Sequence, residues 1–136
     1  MDHATGQVHA EVVENTTAAE LQCFVHKTAK PGATVYTDEA KAYTGMTGYE
    51  HDAVKHSQGE YVSETGATTN AVEAHWSMFK RGYHGTYHKM SDKHLHRYVK
   101  EFSGRHNDRE LSTMDQMRSI VMGLQGKELK YKDLVA

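Results

Sequence analysis

The sequence predicts a small α/β domain with a helical C-terminal half. Two patterns support this class: short β-branched and aromatic runs precede residue 40, and apolar residues at helical spacing follow residue 70. The core is expected to be thin, because Leu, Ile, Val and Phe together supply only 21 of the 136 residues. Basic and acidic side chains nearly balance, at 16 against 18, which favours a folded domain over a disordered chain.

The single cysteine and the first residues limit the expected compartment. Cys23 has no second cysteine in the chain with which to form a disulfide, which is typical of a reducing environment. The opening MDHATGQVHAEVV lacks the basic and apolar parts of a secretion signal, and no window approaches the roughly 20 apolar residues of a membrane span. The sequence therefore predicts a cytoplasmic protein that does not enter a membrane.

Three elements are predicted in the first third of the chain. Residues 7–15 place valines among polar neighbours and predict a strand with one buried face. Thr17 and Glu20 have the spacing of a capping box, and the apolar spacing that follows predicts a helix of about three turns. Pro31-Gly32 ends this helix, and Thr34 to Thr37 form a second predicted strand.

The rest of the chain is predicted to be mainly helical. Residues 44–68 are polar and rich in glycine, which predicts an irregular connection with at most a short strand near Tyr61. Helices are predicted to begin at Asn70, Ser91 and either Ser112 or Thr113. The helix that begins at Asn70 is expected to end where Gly82 and Gly85 interrupt the pattern.

Charge is distributed unevenly between the two halves. Residues 1–66 carry 4 basic and 10 acidic side chains, whereas residues 75–109 carry 8 basic and 3 acidic ones, together with six of the eleven histidines. This second window predicts a positive surface that a polyanion such as nucleic acid could bind. An ordinary solvated helix surface is the alternative interpretation.

Two acidic residues stand out by their context. Asp38 follows a predicted strand directly, and ligand sites of α/β sheets gather at that edge. Glu73 lies one turn into a predicted helix, with Asn70 before it and Lys80 two turns later on the same side. A carboxylate and a lysine in this arrangement suit a divalent cation and a phosphate oxygen. In the simpler interpretation Asp38 is a turn residue, Asn70 caps the helix and Glu73 reaches back to it.

The motifs around these residues resemble a known family. The stretches VYTDEAKAY and TTNAVEAHWSMFKRGYHGTYHKMSDKHLHRYVKEFSGRHN are similar to the catalytic domain of bacterial insertion-sequence DDE transposases, specifically the IS1595 or ISXO2-like subgroup. The similarity extends almost continuously from about Val8 to Asn107. The long string from Asn70 to His88 makes it specific, because it is far less probable by chance than a short motif.

The resemblance implies a ribonuclease-H-like fold and phosphoryl transfer on DNA by two Mg²⁺ or Mn²⁺ ions. Asp38 corresponds to the family's second catalytic acidic residue, and Glu73, or else Asn70, to the third. Asp38 and Glu73 would be the metal ligands. DNA, in the form of transposon ends, would be the partner, and a homo-oligomer is possible. The residues expected to bind DNA phosphate are Lys80, Arg81, Lys89, Lys93 and Arg97.

The chain also departs from the family pattern. Residues 7–15 match the family's third strand, so the first two strands and the first catalytic Asp have no counterpart, and Thr69 stands where the family usually has Arg. We therefore expect a partial ribonuclease-H-like domain at residues 1–110, truncated at its N-terminus, and a helical tail at 111–136. The isolated chain is expected to be inactive. The alternative is a non-catalytic DNA-binding or interaction module derived from a transposase.

Overall fold

A computed structural model of the chain describes residues 1–54 and 69–135. This part of the chain combines helices with a small sheet, as predicted, and is compatible with an α/β domain. The predicted short strand near Tyr61 lies outside the described residues. The helices are α1 (Ala18–Thr28), α2 (Asn70–Gly82), α3 (Asp92–Asn107), α4 (Thr113–Leu124) and α5 (Tyr131–Val135), with a 3₁₀ turn at Lys41–Tyr43 and a π-helical turn at Tyr83–Tyr87.

The described sheet has two parallel strands, β1 (Thr34–Thr37) and β2 (Glu50–Ala53). Thr34 pairs with Glu50 and Thr37 with Ala53. The strand β1 agrees with the prediction, whereas β2 falls in the segment that was expected to be irregular. Its sequence, EHDA, has low strand propensity, so β2 forms because the chain after β1 returns it alongside β1.

The predicted strand over residues 7–15 is wrong. The segment carries no strand pairing, and both backbone groups of Val8 bind the side chain of Asn107 in α3, at 2.7 Å for the N–H and 2.9 Å for the carbonyl. His9 stacks beside Phe24 of α1 at 5.7 Å between ring centroids. The amide side chain satisfies backbone groups that a neighbouring strand would otherwise pair, so the segment lies against helices and not in a sheet.

The helix α1 holds the connection between the two strands. Thr17 caps it as predicted, accepting a hydrogen bond from the Glu20 N–H at 3.4 Å, although the Glu20 carboxylate accepts from the Glu14 N–H and does not close the box. Gln22 donates to the Ala42 carbonyl in the 3₁₀ turn at 2.9 Å. The Gln22 hydrogen bond ties the loop that follows β1 to α1.

The α-helix α2 ends at Gly82, as predicted, but the predicted break in helical structure at Gly82 and Gly85 is wrong. The chain continues from α2 into the π-helical turn, and the His88 backbone N–H donates to the Tyr83 carbonyl at 2.6 Å. Gly82 is required for another reason, because the ring of Phe102 in α3 occupies the space where a Cβ would lie. The glycine therefore brings α2 and α3 close together.

The core of the described residues is thin, as the composition predicts. The buried hydrophobic side chains there are Met46, Val54 and Val99. The chain exposes 10181 Å², whereas a compact monomer of this mass exposes about 7,100 Å². Large hydrophobic side chains of the described residues, most of them after residue 110, remain exposed.

The C-terminal helix α4 begins as predicted, since Ser112 caps it by accepting a hydrogen bond from the Asp115 N–H at 3.2 Å. The short helix α5 follows and contains no buried residue. Within residues 1–54 and 69–135, none of the helices has the length and apolarity that crossing a membrane would require.

Candidate nucleic-acid interface

Asp38 lies immediately after β1, as expected, with its side chain exposed. Its Oδ1 accepts a hydrogen bond from the Ala40 N–H at 3.1 Å, which closes a turn at the strand end. The preceding Thr37 hydroxyl donates to the Asp38 carbonyl at 2.9 Å and lies 2.8 Å from Nε2 of His51 on β2. Burial, together with the nearby Asp38 charge, raises the pKa of Tyr43. The carboxylate is thus held in a turn at the edge of the sheet.

Asn70 and Glu73 lie in the first turn of α2. The Thr69 hydroxyl donates to the Glu73 carboxylate at 2.8 Å, and the Glu73 N–H donates to the Thr69 carbonyl at 3.0 Å. The interpretation of Asn70 as the helix cap is therefore wrong by one residue, because Thr69 occupies that position. A carboxylate here also interacts favourably with the positive end of the helix dipole.

Carboxylate oxygens are the ligands that Mg²⁺ prefers, but a two-metal site needs several of them together. Among the His, Cys, Asp and Glu residues of 1–54 and 69–135, no group of three or more could hold a metal ion. Asp38 stands at the end of β1 and Glu73 at the start of α2. The described residues alone therefore do not form the implied two-metal site.

The basic residues of the prediction follow one another along α2, the π-helical turn and α3. Lys80 and Arg81 lie in the last turn of α2, Lys89 follows the π-helical turn, and Lys93 lies in the first turn of α3; all four are exposed. Among the described residues, none of these four forms an ion pair. Arg97 differs, because it is half-buried and its Nε is buried without a described partner.

The π-helical turn is anchored firmly to α3. The Tyr87 hydroxyl lies 3.2 Å from both carboxylate oxygens of Glu101, which Arg105 also binds at 2.9 Å. The ring of Tyr87 packs edge-on against Tyr98 at 4.9 Å between centroids. The next residue, His88, has the left-handed backbone angles φ 55° and ψ −27°, which are uncommon outside glycine. This anchoring fixes the turn that connects the cations at the end of α2 to those at the start of α3.

A contact between buried His75 and half-buried His106 was missed by the sequence reasoning. His75 on α2 is only 3% exposed, and its ring centroid lies 5.1 Å from that of His106 on α3. Burial, with a smaller effect of His106, lowers the pKa of His75. The available signal was the position of His75 between Val72 and Phe79 on the apolar stripe of α2.

Comparison with known proteins gives one match. Residues 1–107 match the family described as the ISXO2-like transposase domain. No curated protein and no solved structure matches the chain. The match covers well over half of the sequence, including β1, the adjoining Asp38 and the whole of α2 and α3. The chain therefore belongs to the ISXO2-like transposase domain family.

Proposed function

We propose that the chain acts on DNA as a transposase-type domain and that Lys80, Arg81, Lys89 and Lys93, here called the basic surface, bind DNA phosphate. The observation that carries this proposal is the exposure of four cations, none in an ion pair among the described residues, within the family match. Phosphate contacts supply most non-specific DNA affinity and make it dependent on salt. Arg97, which is half-buried on α3, is proposed to support this surface.

The finer assignment remains part of the proposal. Asp38 and Glu73, with Asn70 as the second choice, are proposed as catalytic and metal-binding residues in a ribonuclease-H-like domain spanning residues 1–110, with 111–136 as a tail. The resemblance supplies counterparts here for two of the three catalytic positions. We therefore propose that DNA cutting needs a further carboxylate from outside these residues, so that the isolated chain binds DNA without cutting it.

DNA binding is tested by fluorescence anisotropy of the full chain with a labelled duplex across a range of salt concentrations. Neutralising both Lys80 and Arg81 to Ala should weaken binding and lower the salt dependence by about two phosphate contacts. The matched control changes Lys127 and Lys132 to Ala. These two lysines are also exposed but lie beyond the family match. An absence of binding at low salt, or equal losses in both double variants, contradicts the proposal.

Catalysis is tested on the same duplexes with Mg²⁺ or Mn²⁺. The isolated chain should leave them intact, and Glu73→Gln should bind DNA as well as the unsubstituted chain. Cutting or joining of DNA that is lost on Asp38→Ala would contradict the proposed need for an outside carboxylate. The second candidate function is a DNA-binding module without catalysis. This function is favoured if the chain binds DNA but contributes no DNA cutting or joining even when a complete transposase of this family is added.

A further inference from the structure

The rotation of α4 about its axis is fixed by its polar side. Gln116 donates hydrogen bonds to the carbonyls of Asp108 and Leu111 at 3.2 and 3.0 Å. The Ser119 hydroxyl donates to the Asp108 carboxylate at 3.2 Å. The polar side of the helix is thus turned toward its own chain.

The apolar side of α4 is consequently turned to solvent. Five side chains, Met114, Met117, Ile120, Val121 and Leu124, share an arc of about 120° that excludes Gln116 and Ser119. Each of the five is between 57% and 68% exposed. A contiguous apolar stripe of this kind, exposed to solvent, marks an interaction site.

We propose that this stripe binds the same stripe on a second copy of the chain. Met114, Met117, Val121 and Leu124 are separated by three, four and three residues, which is the spacing of a two-helix seam. A seam of this spacing is complementary to itself, so a two-fold axis can pair identical helices.

The charges on α4 favour a second copy over other partners. Its two charged residues, Asp115 and Arg118, bind each other at 3.0 Å, so the helix carries no net charge. DNA and anionic membrane surfaces attract helices rich in Lys and Arg, which this helix is not. Two neutral helices meet without electrostatic repulsion.

The exposed area suits a small, dissociable dimer. Burial removes roughly 60–120 Å² from water for each side chain of this size, so the five side chains supply roughly 300–600 Å² per copy. This is below the roughly 800 Å² per partner of a standard interface and lies in the range of weak, dissociable ones.

The experiment measures the mass of the full chain by analytical ultracentrifugation over a wide concentration range. The mass should rise from 15.3 kDa toward twice that value. Met117→Glu, which would bury a charge in the seam, should weaken association more than tenfold. Met122→Glu is the matched control, because Met122 is 67% exposed on the same helix but lies outside the stripe, and its variant should still associate.

Three other results would contradict pairing of two copies through the α4 stripe. A chain that stays at 15.3 kDa at the highest concentration, or a Met122→Glu variant as impaired as Met117→Glu, excludes pairing through the stripe. So does monomeric binding to anionic vesicles that Met117→Glu abolishes. Circular dichroism checks that the helices persist, and Val121→Gln provides a second seam variant if Met117→Glu does not fold. DNA binding by the basic surface is measured separately, so either proposal can fail alone.

Discussion

The imidazole of His75 lies between α2 and α3, where a positive charge is unfavourable. Its Nδ1 is buried without a hydrogen-bond partner among the described residues, and Nε2 of the neighbouring His106 is in the same condition. Burial and His106 lower the pKa of His75 below its ordinary value of 6.5. Protonation of this ring therefore opposes the packing of the two helices.

The pKa of His75 has a consequence for stability that can be measured. In the unfolded chain His75 takes up a proton near pH 6.5, whereas the folded chain resists it, so the unfolded state binds more protons below that pH. The free energy of unfolding should be insensitive to this group above pH 6.5 and should fall as pH drops below it. Urea titrations of the unsubstituted chain at several pH values measure the slope.

His75→Gln should flatten this acid-side slope, whatever its effect on stability at neutral pH. His96→Gln is the control, because the His96 side chain is exposed, and this variant should keep the slope of the unsubstituted chain. An unaltered slope in His75→Gln contradicts the assignment. The sequence drew attention to the histidines as a group but could not single out His75 and its contact with His106, because both depend on how α2 and α3 meet.

At the scale of elements, the sequence predicted correctly those helices and strands that depend on interactions within a short segment. The Thr17 and Ser112 caps and the β-branched run from Thr34 to Thr37 are properties of short segments, and the structure confirms them. The strand β2 and the coil at 7–15 depend on distant partners, β1 in one case and Asn107 in the other. Pairing over such distances leaves little trace in composition or periodicity.

Gly82 makes the contact between α2 and α3 testable. A Cβ added at this position would lie 2.7 Å from Cε1 of Phe102 and closer still to Cζ, so the ring or the helix must move. Gly82→Ala should therefore destabilise the fold by about 1–3 kcal/mol, the usual cost of overpacking. Urea unfolding followed by circular dichroism measures the change.

Gly104 in α3 provides the matched control for that substitution. A Cβ there meets nothing within 4 Å, so Gly104→Ala should stabilise the chain by about 0.5–1 kcal/mol through helix propensity alone. If both variants are stabilised, Phe102 does not cover Gly82 in solution. If both are destabilised to the same extent, the loss does not come from the contact with Phe102.

At the scale of the whole molecule, the sequence could identify candidate site residues but not their assembly. Asp38, Glu73 and the cations at the end of α2 lie where local patterns predicted, at a strand end, a first helical turn and a last helical turn. Whether carboxylates from a strand and a helix meet depends on packing across the domain, which periodicity does not encode. The described residues accordingly place the basic surface on neighbouring elements but form no cluster of three carboxylates or histidines.

The large surface of the chain predicts an unusually weak response to denaturant. Folding to 10181 Å² from an unfolded chain of about 22,000 Å² buries about a fifth less than folding to a compact 7,100 Å². Because the urea m-value scales with the surface exposed on unfolding, it should be about 20% below the value usual for this length. The measurement uses Met117→Glu, so that self-association does not add buried area. An m-value at the usual level would show that the chain is more compact in solution than an accessible surface of 10181 Å² implies. The size of the accessible surface would then give no reason to expect that a partner covers part of it.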